Sequence, residues 1–85
     1  MKITVLFFAS FKERLGVSDI EIIIDEGSSL SDLCEQLAAR GEQWQTLFAE
    51  AEKLIKASIN HEMADLSDCL ADGDEVAFFP PVTGG

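Results

Sequence analysis

From Ile3 to Ala9 the chain alternates between two apolar sets: in an extended strand Ile3, Val5 and Phe7 share one face, and Thr4, Leu6 and Phe8 share the other. Assigning the first set to the core leaves Leu6 and Phe8 on an outer face that is unusually apolar, as at a protein interface. Lys12-Glu13-Arg14-Leu15-Gly16 reads as a connection. Asp19 to Asp25 then alternates cleanly, with Ile20, Ile22 and Ile24 inward and Asp19, Glu21 and Ile23 outward, which predicts a hairpin partner for the first strand. Ser29 followed by Asp32 resembles a capping box, and Leu30, Leu33, Cys34, Leu37 and Ala38 recur at helical spacing behind it. Gly41 is expected to end that helix in a left-handed conformation. Trp44, Leu47, Phe48 and Ala51 predict a short second helix over Glu42 to Glu52, with Trp44 as a packing residue. Leu54 to Ile59 reads as a strand followed by an Asn60-His61-Glu62 turn. Asp72-Gly73 marks the turn into a last strand, Glu75 to Phe79, in which Val76 and Phe78 oppose Ala77 and Phe79.

The order is therefore β-β-α-(α)-β-β. Its economical packing is an α+β domain in which a mixed sheet of four to five strands is covered on one face by one main helix, the ubiquitin-like or β-grasp architecture. Residues 1–79 are assigned to this domain and residues 80–85 to an extended C-terminal tail. At 85 residues there is room for one modest core and no second domain. Six Lys and Arg against 16 Asp and Glu give a formal charge of −10, which disfavours nucleic acid and anionic membrane surfaces and favours a partner with a basic docking surface. No apolar stretch is long enough to span a bilayer, and Met1-Lys2-Ile3-Thr4 does not open a secretory signal, so a cytoplasmic location is expected. Cys34 and Cys69 form no CxxC and are too few for a zinc or iron–sulfur site; both are expected to be small apolar fillers.

A catalyst working alone would need a nucleophile with its base, a metal cluster or a phosphate cradle. The sequence offers none of these patterns. His61 reads as a turn residue, and Asp72, Asp74 and Glu75 as a turn with solvated acids, since their spacing does not match a calcium loop. No bound metal and no stably bound cofactor are expected. The remaining reactive group is the Gly85 carboxylate. Gly84 and Gly85 carry no Cβ, so this end can enter a channel closed to other residues. Pro80 and Pro81 stop the last strand and stiffen the start of the tail, and Pro80 to Gly85 extends over roughly 20 Å. A carboxylate is a poor electrophile, so a partner must adenylate it before sulfur or an amine can capture the acyl carbon.

Leu6-Phe7-Phe8-Ala9 and the closing run Asp72-Gly73-Asp74-Glu75-Val76-Ala77-Phe78-Phe79-Pro80-Pro81-Val82-Thr83-Gly84-Gly85 resemble the small, sulfur-carrier subunits of molybdopterin synthase, over essentially the full length. The diglycine is shared by all ubiquitin-like carriers, whereas the Phe-Phe-Pro-Pro-Val-Thr lead-in is much narrower. The resemblance implies that an ATP-dependent adenylating enzyme activates Gly85 and that a sulfurtransferase system converts it to a thiocarboxylate. It further implies that the tail, from Pro80 and Pro81 through Val82, Thr83 and Gly84, enters the large catalytic subunit of a heterotetramer. There the sulfur passes to cyclic pyranopterin monophosphate, so the small chain is a non-catalytic, sulfur-donating subunit. By position, Phe79 and Met63 match an apolar partner-binding surface, with Phe8 and Leu6 beside it, and Lys12 stands where some relatives carry arginine. Three alternatives share the reading of the elements: a carrier for another pathway such as that of thiamine, a ubiquitin-like protein modifier, and a plain β-grasp interaction module.

Overall fold

Residues 1–8, 10–50 and 56–79 are described by the computed structural model, and they form β1 (Lys2–Phe7), α1 (Ser10–Leu15), β2 (Asp19–Ile23), α2 (Leu30–Ala38), α3 (Glu42–Glu50), β3 (Lys56–Ile59), β4 (Glu62–Ala64) and β5 (Glu75–Phe79). The strands make one mixed sheet in the order β2-β1-β5-β3-β4. β1 and β5 run parallel at its centre, with Val5 opposite Val76 and Phe7 opposite Phe78. The β1–β2, β5–β3 and β3–β4 pairs are antiparallel. This is the β-grasp arrangement expected from the order of elements.

Because side chains alternate across a strand, these registers place Ile3, Val5, Phe7, Ile22, Val76 and Phe78 on one face, and all are buried. Leu30, Leu33, Cys34 and Leu37 of α2 are buried in the same core. The α2 N-terminus is held by the expected capping box: Ser29 Oγ accepts from Asp32 N–H at 3.2 Å, and the Asp32 carboxylate accepts from Ser29 N–H at 2.9 Å. Aromatic rings fill the end of the core next to α3. Phe48 meets Phe78 edge-on at 5.1 Å, Phe11 stacks on Phe48 at 5.8 Å, and Trp44 meets Phe7 edge-on at 5.5 Å. Each fully buried side chain of this kind contributes about 1.5–3 kcal/mol through removal of apolar surface from water.

Four expectations are corrected. The stretch read as a connection is the helix α1, which forms because Phe11 can then bury itself against Phe48. Glu62 is not confined to a turn but begins β4, and the turn before it is the two-residue Asn60-His61 loop. Gly41 does not terminate α2 in a left-handed conformation. The helix ends at Ala38 with Ala39 as a right-handed cap (φ −77°, ψ −3°), and Gly41 instead precedes α3, its carbonyl accepting from Gln45 N–H. Cys34 is buried as expected but Cys69 is exposed, because backbone pairing of Ser29 with Cys69 gives the inward place to Leu70. The expectations for Ala9, Ala51, Glu52 and Leu54 lie outside the described residues.

The Asp72-Gly73 turn is present, with Gly73 at φ 85°. Its acids are engaged: the exposed Asp72 accepts from Lys2 N–H through Oδ1 at 2.8 Å, and the half-buried Asp74 accepts from Ala71 N–H and from the Asn60 amide. Among the described residues no helix is long and apolar enough to cross a membrane.

Candidate functional site on the open sheet face

The face of the sheet opposite α2 carries the second apolar set. Register lines up Leu6 of β1, Ala77 of β5, Ser58 of β3 and Met63 of β4 in a single row across four strands. Phe8 follows β1 and Phe79 closes β5, and their rings stack in parallel, 5.4 Å apart and 6° from coplanar. Phe8 is 43% and Met63 67% exposed, and such apolar side chains gathered on one face mark a surface suited to a protein partner. Together with Ser58, His61, Glu75 and Ala77, these residues bound a groove of about 200 Å³.

Local chemistry explains the walls. The β3–β4 hairpin turns on Asn60 (φ 51°) and His61 (φ 72°), a two-residue loop with both central φ values positive, as in a type I′ turn. Asn60 clamps the start of β5. Its N–H donates to Glu75 O at 2.8 Å, its Oδ1 accepts from Glu75 N–H at 3.0 Å, and its Nδ2 donates to Asp74 Oδ1 at 2.9 Å. The Glu75 backbone is thereby fixed at one end of the groove, and its Oε1 lies 3.5 Å from His61 Nε2. The groove thus has an apolar floor and a carboxylate end. Its chemistry is that of recognition, offering apolar area and one negative charge.

Of the site residues expected from sequence, Leu6, Phe8, Met63 and Phe79 are brought together in this groove. Lys12 is not: it is exposed on α1 beside a separate hollow with Glu13, Gly16, Val17 and Ser18, and forms no ion pair among the described residues. Pro80, Pro81, Val82, Thr83, Gly84 and Gly85 lie outside the described residues. Sequence reasoning missed Ser58, Ala77, Glu75 and His61 as groove residues. Alternation in β5 already put Ala77 with Phe79, but nothing in the sequence announced the register that sets Ser58 beside it. Among the described residues no cluster of three or more His, Cys, Asp and Glu side chains is arranged to hold a metal ion.

At the other end of the sheet, Lys2 Nζ lies 2.9 Å from Glu21 Oε2. The hydrogen bond to Glu21, with its attraction, holds the Lys2 ammonium above its ordinary range. This pair joins β1 to β2 and takes no part in the groove.

Fold and open face together define a ubiquitin-like β-grasp domain with a bare sheet suited to docking. The chain belongs to the ThiS family, whose model matches residues 5–85. It is 42% identical to the molybdopterin synthase sulfur carrier subunit of Haemophilus influenzae, over 98% of this chain and 99% of the relative. Among solved structures, it is similar to the small archaeal modifier protein SAMP1 of Haloferax volcanii, with a TM-score of 0.81, 26% identity and complete coverage of both chains. It is also similar to a chain in the complex of subunits 1 and 2 of the molybdopterin-converting factor from Helicobacter pylori, with a TM-score of 0.67, 28% identity and complete coverage of both.

Proposed function

We propose that this chain is the sulfur-carrier subunit of a molybdopterin synthase, a one-domain body (residues 1–79) that presents residues 80–85 to the catalytic pockets of its partners. The observation that carries this reading is the position of Phe79. It is at once the last residue of β5, a wall of the apolar groove and the residue from which Pro80-Pro81-Val82-Thr83-Gly84-Gly85 departs. A partner seated on the groove therefore has the diglycine delivered within roughly 20 Å of the contact. The sulfur-carrier relatives support the assignment of the pathway.

In this reading an ATP-dependent adenylating enzyme and the large synthase subunit use the same sheet face in turn, in the cytoplasm. The Gly85 carboxylate oxygen attacks the α-phosphorus of ATP on the first partner and pyrophosphate leaves. Sulfur at the sulfide level, supplied by a sulfurtransferase system, then attacks the acyl carbon and displaces AMP, giving a thiocarboxylate. The large subunit catalyses sulfur transfer from that group to cyclic pyranopterin monophosphate, water replacing the sulfur on the acyl carbon so that the Gly85 carboxylate is restored, in a heterotetramer with one small chain at each end. The small chain supplies no catalytic side chain.

Intact mass spectrometry of the chain purified from cells with complete sulfur transfer tests this. The expected result is a mass increase equal to exchange of one oxygen for sulfur, located on Gly85, with molybdopterin formation lost on deletion of Gly85. Normal synthesis by the truncated chain would overturn the reading. The likeness to SAMP1 favours a second reading, attachment of Gly85 to other proteins, for which lysine-linked conjugates would be found in place of the thiocarboxylate.

A further inference from the structure

The polar end of the groove has a use that its apolar floor does not explain. His61 occupies the second position of a two-residue turn with φ 72°, where glycine is the favoured residue. Its side chain is 87% exposed and makes no close hydrogen bond, so the turn gains nothing from the imidazole that glycine would not supply more readily. Glu75, by contrast, has both backbone groups held by Asn60 and lies in register with Thr4 of β1, whose N–H bonds to the preceding Asp74 carbonyl. That combination gives a carboxylate carried on a fixed backbone at the mouth of an apolar groove, with an imidazole 3.5 Å away on one side of it.

Resting on the proposed docking role, we infer that Glu75 is a specificity-determining contact that pairs with a basic side chain of the partner, and that His61 is the positioning residue that aims its carboxylate. The partner surface must then place an apolar knob on Phe8, Phe79 and Met63 and a guanidinium or ammonium group beside it. The overall charge of −10 selects for such a partner at long range, and Glu75 selects at contact, because only this acid lines the groove among the described residues. A partner with an acidic group at that point is rejected by like charge in a partly desolvated setting.

Titration calorimetry of the full chain against the purified large synthase subunit of the same organism, at low and high salt, tests the inference. Glu75→Gln keeps the shape and is expected to weaken binding about tenfold at low salt, with the difference shrinking as salt rises. Glu35→Gln removes the same charge from α2, on the far side of the sheet, and is expected to change affinity less than about twofold. His61→Gly is expected to raise the thermal unfolding midpoint, since it relieves the turn, yet to weaken binding about threefold when Glu75 is present and not at all when it is Gln. Equal affinities for the parent and Glu75→Gln, with binding lost in Phe79→Ala, would overturn this inference and leave the docking role standing. Absence of any binding by the parent chain would overturn both. A His61→Gly chain that binds as tightly as the parent would remove the positioning role.

Discussion

Phe7 and Phe8 are neighbours in the chain with opposite duties. Phe7 points into the core, 2% exposed, against Trp44, Phe48 and Phe78. Phe8 points outward and touches Phe79. Phe7→Ala leaves a cavity that the ring cluster cannot close and is expected to cost about 3–5 kcal/mol, a large part of the stability of a domain this size. Phe8→Ala loses one exposed stacking contact, about 0.5–1.5 kcal/mol at most. Phe79→Ala is of the second kind for folding but not for binding, where an aromatic anchor at the centre of a patch contributes about 2 kcal/mol or more. Urea melts alongside partner titrations should therefore split the three variants: Phe7→Ala fails in the melt, and Phe8→Ala and Phe79→Ala fail chiefly in the titration. A Phe79→Ala chain that docks like the parent would remove the groove from the interface.

At the scale of elements, the strongest local signals act where they were expected. Ser29→Ala breaks the capping box at α2 and is expected to cost about 1 kcal/mol, read as a lower urea midpoint with unchanged slope. The Lys2–Glu21 pair joins β1 to β2. Because the folded-state value for Lys2 is raised above 10.5, its stabilisation is complete at neutral pH and is lost as pH rises through the raised value. Melts of the parent and Glu21→Gln should accordingly converge in strong alkali.

The strands β1, β2 and β5 and the helix α2 were legible because each has apolar residues recurring at its own period. α1 was not, since six residues with Phe11 as the buried anchor complete no helical repeat. β4 has three residues, none buried, and exists through backbone pairing with β3. Gly41 misled because glycine after an apolar repeat signals a left-handed cap, whereas Ala39 and Arg40 close the helix before it is reached. The apolar half of the candidate site was readable from Leu6 and Phe8, which break the usual inside–outside alternation. The polar half depends on a hairpin register that side-chain pattern alone does not carry.

For the molecule as a whole, the proposed function makes the apolar face, the surplus of ten negative charges and the diglycine end serve successive stages of one encounter. Charge acts first, at distances beyond the groove, and should speed association with a basic partner surface. The apolar floor acts at contact and sets the lifetime of the complex, because dispersion and water exclusion are insensitive to salt at moderate concentrations. In the proposed function the diglycine acts last, within the partner. These stages are separable by measurement. Raising ionic strength from about 0.05 to 0.5 M is expected to lower the association rate constant about tenfold or more while changing the dissociation rate constant far less. Phe79→Ala should do the reverse, and deletion of Gly85 should alter neither rate strongly while abolishing sulfur transfer. Stopped-flow kinetics with the large subunit would report the two rate constants, and molybdopterin formation the transfer. An association rate indifferent to salt would mean that the acidic surface serves solubility alone, and partner selection would then rest on the groove.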